Sequence, residues 1–284
     1  MVDERLNKTE TQILRIFPRE PIEVSHIASE LDVGVSWASR CVSHLVSMGF
    51  ISTYRQGMRV FVQIASNSLG DRLLALLSEE PALSLQALMG GSKLCVLPLL
   101  LPPGYPSKEL SLRAGITMRT VQLFIRSWRG MGLVSLENDR YFLDPQNKLI
   151  VDLVREYSHH RNMHRVRIKY PEASIVWEDR DEYMISLDRK IEDEEYATSS
   201  TTAISQLGYD ITYRNYYYYY SPVKGTISEA EALVQNLMCN PRNPRSRLYI
   251  QKGVQEKRVT RTELRKHAKK YHVEDKLEKA LQYD

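Results

Sequence analysis

The chain has 284 residues, of which 43% are hydrophobic and 26% are charged, and its formal net charge is +4. This composition excludes a disordered chain, and the length suits two or three domains. The longest apolar run, LCVLPLLL, is too short to span a membrane. The three cysteines lack the spacing of a zinc site or a disulfide framework. We therefore expect a cytoplasmic protein that has no cofactor, no metal site and no membrane contact.

The clearest pattern in the chain is an internal repeat. Residues 24–51 align without a gap on residues 107–134, 83 positions later. Both copies predict a short helix, a tight turn and a longer helix that ends at a Met-Gly pair. An apolar helix precedes each copy, ETQILRIF or KLCVLPLLL. Two strands follow each copy, with turns at Gln56-Gly57 and Asn138-Asp139.

This order of helices followed by a β-hairpin is that of a winged helix-turn-helix domain. It resembles the MarR/ArsR-like family of transcription regulators, and the resemblance implies that the longer helix enters the major groove of DNA. The fold class we expect is mainly α with small β-wings. Its predicted parts are two tandem winged helix-turn-helix domains (1–66 and 67–144), a basic linker helix (145–171) and a C-terminal α+β domain (172–284).

The candidate DNA-binding residues lie on the outward faces of the longer helices and on the first wing. In the first copy, Ala38, Cys41, Val42, Leu45 and Met48 form the stripe that we expect to be buried. Hydroxyl, guanidinium and imidazole groups outside the stripe suit base edges and phosphates. The first copy is the better candidate because its wing contains two arginines, whereas the second wing, LENDR, is partly acidic. The candidates are Ser36, Trp37, Ser39, Arg40, Ser43, His44, Arg55, Arg59, Thr117, Arg119, Thr120, Gln122 and Arg126.

The linker helix is predicted to have one apolar stripe and a basic far side. His160 and His164 are spaced to share a metal ion, but no cysteine or carboxylate lies at ligand spacing. We therefore interpret this segment as a solvated helix that favours phosphate.

The C-terminal domain is predicted to begin with strands SIVWED and EYMISL and a helix over SSTTAISQLG. A tyrosine-rich strand, ITYRNYYYYYS, follows. Two helices with capping boxes come next, Ser228 with Glu231 and Thr260 with Glu263, and then a last helix, VEDKLEKAL. Because side chains alternate along a strand, we expect one row of tyrosines in the core and the other at the surface. Tyr217 and Tyr219 are the candidate partner-binding residues.

Charge is uneven in this domain. Residues 172–195 contain 10 acidic and 3 basic side chains, whereas residues 242–279 contain 13 basic and 5 acidic ones. A polyanion partner and an internal attraction between the two segments explain this equally well.

The order of elements, together with AKKYHVEDKLEKAL near the end, resembles the C-terminal region of AbiE-type antitoxins. The resemblance implies a DNA-binding antitoxin that represses its own operon and opposes a nucleotidyltransferase toxin. Such antitoxins commonly have one N-terminal winged helix, and this chain has two predicted ones.

No motif indicates an enzyme. The chain lacks a Walker or Rossmann glycine loop, a nucleophile elbow and a zinc-protease helix. Asp179 and Asp181 fit an acidic turn better than a metal pair, and the tyrosines need no nucleobase to stack on. We expect a sequence-specific, double-stranded DNA-binding transcription regulator, dimeric and antitoxin-like. The alternative is a protein-interaction scaffold whose C-terminal domain binds a partner such as a nucleotidyltransferase toxin.

Overall fold

The computed structural model describes residues 4–16, 20–223 and 225–282. These residues form a mainly helical protein with small antiparallel sheets. The chain divides into two compact units, residues 1–165 and 166–284. Within the described ranges, no helix combines the length and the apolar character that crossing a membrane requires.

The first repeat folds as helices followed by a hairpin. Its elements are α1 (Lys8–Ile16), β1 (Ile22–Glu23), α2 (Val24–Glu30), α3 (Val35–Ser47), β2 (Ile51–Gln56) and β3 (Arg59–Ile64). The strands form an antiparallel sheet in the order β1-β3-β2. The two-residue turn of the hairpin is Gly57-Met58, one residue later than the predicted Gln56-Gly57, with Gly57 at a φ of 61°. Gln56 pairs with Arg59 and so belongs to β2.

A helical connection joins the repeats. It comprises α4 (Ser68–Glu79), α5 (Leu85–Met89) and two 3-10 turns, Ser92–Cys95 and Leu97–Leu100. The prediction of one apolar helix over KLCVLPLLL is wrong. Pro98 lies inside this run, and it lacks the amide hydrogen that the interior of an α-helix needs.

The second repeat matches α2 and α3 of the first to within one residue. Its elements are α6 (Ser107–Ala114), α7 (Met118–Gly130), β4 (Val134–Glu137) and β5 (Arg140–Leu143). The first and last residues of α7 lie 83 positions after those of α3. The predicted sequence repeat is therefore a repeat of backbone structure as well.

One hydrophobic core serves both repeats. Leu45 and Trp128 occupy equivalent positions and are both fully buried. The Nε1 of Trp128 donates a hydrogen bond of 3.1 Å to the carbonyl of Leu88. Helix α8 (Lys148–Lys169) also packs on this core, where Tyr157 stacks on Phe50 with ring centroids 5.6 Å apart. The five residues predicted to be buried on α3 are buried.

Two equivalent glycines end α3 and α7, and they offer a matched test of this packing. Gly49 and Gly132 have φ of 79° and 70°, so alanine at either position costs about 1–2 kcal/mol in backbone strain. A Cβ at Gly49 would lie 2.1 Å from Nε2 of His160, whereas nothing lies within 4 Å at Gly132. We expect Gly49→Ala to be the more destabilising by at least about 1 kcal/mol, measured by urea denaturation. Equal losses would show that α8 does not pack on Gly49.

The second unit combines a four-stranded sheet with helices. Its elements after α8 are β6 (Ser174–Asp179), β7 (Glu182–Leu187), β8 (Tyr196–Thr198), α9 (Ser200–Gln206), β9 (Tyr216–Tyr220), α10 (Glu229–Cys239), α11 (Pro244–Gln255), α12 (Arg261–Lys270) and α13 (Glu274–Leu281). The antiparallel strand order is β6-β7-β9-β8. The strand β8 was not predicted.

The expectation of one exposed row of tyrosines on β9 is wrong. Tyr218 is 2% exposed and Tyr219 is 6% exposed, although they point to opposite faces. β9 lies between β7 and β8, and both of its faces are covered. Residues of α10 and α12 pack on the face of Tyr219, while Val166 and Tyr170 pack on the face of Tyr218.

Candidate nucleic-acid interface

The turn between the two helices has the same geometry in both repeats. Asp32 and Gly115, 83 positions apart, both adopt a left-handed φ, of 51° and 64°. The amide of Val33 donates to the carbonyl of Ala28 at 2.9 Å, and Ile116 donates to Ser111 at 3.2 Å. The same hydrogen-bonded turn therefore directs α3 and α7 away from the helices that precede them.

The predicted outer face of α3 is exposed, but some of its side chains contact one another or α1. Ser36, Ser39, Arg40 and Ser43 are exposed, as is Trp37 at 39%. The Nε1 of Trp37 lies 3.2 Å from Oγ1 of Thr9, and the guanidinium of Arg40 lies 5.0 Å from the centroid of the Trp37 ring. The indole and the guanidinium of this face thus already contact other side chains.

The expectation that His44 faces outward is wrong. His44 is half-buried, and its Nδ1 lies 2.7 Å from Oε1 of Glu10 on α1. The other carboxylate oxygen of Glu10 accepts a hydrogen bond of 2.7 Å from the amide of Asn7. His44 therefore joins α3 to α1, and it places a carboxylate beside the helix.

The hairpin of the first repeat exposes Tyr54, Arg55, Gln56 and Arg59. Arg59 lies 3.7 Å from Glu23, an exposed ion pair that contributes little. The tip residue Met58 is fully exposed. Sequence reasoning did not single out Met58 because a lone apolar residue in a turn gives no pattern.

The outer face of α7 is more cationic than that of α3. Arg119, Gln122 and Arg126 are exposed, and so is Arg129 in the last turn of the helix. Among the ion pairs of the described residues, none joins these three arginines to an acidic side chain. Thr117 caps the helix by accepting from the amide of Thr120 at 3.3 Å, and the two hydroxyl oxygens lie 2.9 Å apart. Both threonine hydroxyls therefore take part in the N-terminal cap of α7.

An open cleft of about 610 Å³ lies along α7, where Tyr141 of β5 forms part of its wall. Glutamine and arginine side chains supply its polar surface, and no acidic residue lines it. The lining residues are Arg119, Gln122, Leu123, Ile125, Arg126, Arg129, Gly130 and Tyr141. Sequence reasoning missed Leu123 and Tyr141, because only folding brings the hairpin beside α7.

The linker helix does not present a free basic side. Arg161 is buried, and Arg161 and Arg165 both pair with Glu4. Arg155 lies 3.2 Å from Asp152. The interpretation of this segment as a solvated, phosphate-favouring helix is therefore wrong for Arg161 and Arg165, whereas Arg155 is exposed.

The two histidines of the linker helix stack, with ring centroids 6.3 Å apart for His160 and His164. In the part of the chain that the structure describes, no group of three or more histidine, cysteine, aspartate or glutamate side chains could hold a metal ion.

The second unit encloses one lysine among aromatic rings and carboxylates. The Nζ of Lys270 donates to the hydroxyl of Tyr219 at 2.8 Å and lies 3.1 Å from Glu182 and 3.2 Å from Glu231. The ring centroids of Trp177, Tyr219 and Tyr271 lie 4.9 to 5.9 Å from it. We call these six residues the lysine box. Tyr219, a candidate partner-binding residue, belongs to the box, while Tyr217 is half-buried.

The lysine box has a consistent protonation pattern. Burial, followed by the nearby carboxylates, raises the pKa of Tyr219 and Tyr271 well above the usual tyrosine range. Both hydroxyls therefore keep their protons, and that of Tyr271 donates to Glu231 at 2.7 Å. Only one of the two hydrogen bonds of the predicted capping box of α10 is present. Ser228 accepts from the amide of Glu231, but the Glu231 side chain turns inward to the lysine box.

The pair Lys270–Glu182 joins the basic segment 242–279 to the acidic segment 172–195. Other charges in these segments pair locally, such as Arg265 with Glu278 and Arg189 with Glu172.

No protein-family model matches this chain, and no curated protein matches it either.

Proposed function

We propose that this protein is a double-stranded DNA-binding transcription regulator with two tandem winged helix-turn-helix domains, residues 1–66 and 67–144. The observation that supports this most is the turn repeated between α2 and α3 and between α6 and α7, with one left-handed residue at the same position. Each turn is followed by a helix with an exposed polar face and by an antiparallel hairpin. This arrangement suits a helix that enters the major groove. The function needs no catalytic residue and no cofactor.

The second repeat is the stronger DNA-binding element in this proposal. On α7, Arg119, Arg126 and Arg129 are exposed and have no carboxylate partner among the described ion pairs. On α3, by contrast, His44 holds the Glu10 carboxylate and Trp37 covers part of Arg40. Since phosphate contacts supply most of the affinity for DNA, the more cationic helix should contribute more.

The α7 arginines give the first test of this proposal. We expect Arg119→Ala and Arg126→Ala each to weaken duplex binding by about 1–3 kcal/mol if they contact bases, or to reduce the salt slope by about one if they contact phosphate. Arg40→Ala should have a smaller effect than either. Fluorescence anisotropy of a labelled duplex, taken from upstream of the protein's own gene, measures these affinities.

The matched control is Arg72→Ala, because Arg72 is an exposed arginine on α4, outside both candidate helices, and its ion-pair partner is Asp152 of α8. This variant should bind as the wild type does. If the two α7 variants also bind like the wild type, α7 is not a DNA-binding helix. If the wild-type protein itself binds no duplex, the proposal fails and the interaction-scaffold alternative is favoured.

A further inference from the structure

The cleft along α7 is a feature that the two repeats do not share. At equivalent positions, Arg119, Arg126 and Arg129 of α7 replace Ser36, Ser43 and Val46 of α3. The second repeat therefore has three guanidinium groups at positions where the first repeat has none.

The cationic side of the cleft suits more than one phosphate group. Residues 119, 122, 126 and 129 follow the three- and four-residue spacing of a single helix face. They extend over about 15 Å of the helix axis, since each residue adds about 1.5 Å. Arginine binds phosphate oxygens in a planar, two-pronged geometry, and Gln122 adds an amide between two arginines. Without an acidic residue in the lining, the cleft has an excess of positive charge.

The other side of the cleft suits a flat apolar group. Leu123 is 55% exposed, Tyr141 is half-buried, and Ile125 lies below them. A phosphate alone gains nothing from these side chains, whereas a planar ring can stack on tyrosine and cover leucine. The volume of about 610 Å³ is in the range of small-ligand sites.

We infer that this cleft binds a free nucleotide, with its phosphates on the arginines of α7 and its base against Tyr141 and Leu123. Because the same arginines are proposed to contact DNA, a bound nucleotide displaces the duplex from α7. This regulatory part rests on the proposed function, whereas nucleotide binding itself does not.

The test uses the full chain, with ADP and inorganic pyrophosphate as probes in isothermal titration calorimetry. We expect one saturable ADP site and at least about tenfold weaker binding of pyrophosphate, which lacks the ring. Arg126→Ala should weaken both probes by about tenfold or more. Tyr141→Leu should weaken ADP by a similar factor and leave pyrophosphate unchanged. Tyr213→Leu, at a half-buried tyrosine of the second unit, is the matched control and should change neither.

The competition experiment adds ADP to the complex of protein and labelled duplex. We expect ADP to release the duplex from the wild type and from Tyr213→Leu. If the duplex binds but neither probe binds saturably, the inference is wrong and the proposed function stands. If ADP binds as expected but no duplex does, the nucleotide site stands and the proposed function fails. Should Tyr141→Leu not fold, Leu123→Ser provides the same contrast from an exposed position, with ADP again weakened more than pyrophosphate.

Discussion

Trp128→Ala is expected to lower the free energy of unfolding of the first unit by about 3–5 kcal/mol. Trp128 is fully buried in the core that both repeats share. Its removal leaves a cavity, and it also leaves the Leu88 carbonyl without the hydrogen bond that the indole donates. Urea denaturation followed by far-UV circular dichroism measures the loss.

Two matched variants separate packing from a general sensitivity to tryptophan loss. Leu45→Ala, at the equivalent position of the first repeat, should cost about 2–5 kcal/mol. Trp37→Ala should cost clearly less, because Trp37 is 39% exposed. If Trp128→Ala and Leu45→Ala both unfold at the wild-type urea concentration, the alignment at 83 positions has assigned the buried face wrongly.

The second large effect is expected at the lysine box. Lys270→Met should destabilise the second unit by about 2–4 kcal/mol, because it removes the cation that lies 3.1 Å from Glu182 and 3.2 Å from Glu231. This value is below the full cost of breaking a buried pair, since the Lys270 side chain is 32% exposed. Thermal and urea denaturation measure the change.

The control is Lys269→Met, which alters an exposed lysine of the same helix and should change stability little. Combining Lys270→Met with Glu182→Gln and Glu231→Gln should recover part of the loss, because the buried charges are then removed together. If Lys270→Met is no more destabilising than Lys269→Met, the lysine box does not stabilise the unit.

The helices of the repeat could be predicted closely because several local signals agree at the same residues. Apolar spacing, the left-handed turn and the terminal Met-Gly pair all mark the ends of α3 and α7. The turn of the second hairpin could also be predicted from its own residues. Asn138 and Asp139 both adopt the positive φ that is expected at such a tip.

The predictions that proved wrong concern residues whose surroundings are formed by side chains distant in sequence. Helical spacing places His44 on the outward face of α3. In the structure, however, its ring contacts the carboxylate of Glu10, which is 34 residues away in sequence. Strand alternation placed Tyr218 and Tyr219 on opposite faces correctly, but it could not show that both faces are covered. In the same way, no local pattern predicted that the Glu231 side chain would leave the helix end for Lys270.

The exposed residues of the candidate interface could be predicted from helical spacing, whereas their neighbours from other elements could not. The arginines of α7 were identified from helical spacing, but the first repeat was expected to be the better DNA-binding element. Wing composition favoured that view, whereas the structure places Glu10 beside His44 and Glu23 beside Arg59 of the first repeat. A neighbour from another element therefore changes the charge around a candidate residue, which composition alone does not show.

The most direct test of the central claim, that this protein binds double-stranded DNA, is the affinity of the full wild-type chain for a duplex at several salt concentrations. The duplex is taken from upstream of the protein's own gene, and a random duplex of equal length serves for comparison. The account predicts a straight line of log Kobs against log salt with a negative slope of about 0.9 per phosphate contacted, and tighter binding of the upstream duplex. A folded chain that binds neither duplex at low salt would contradict it.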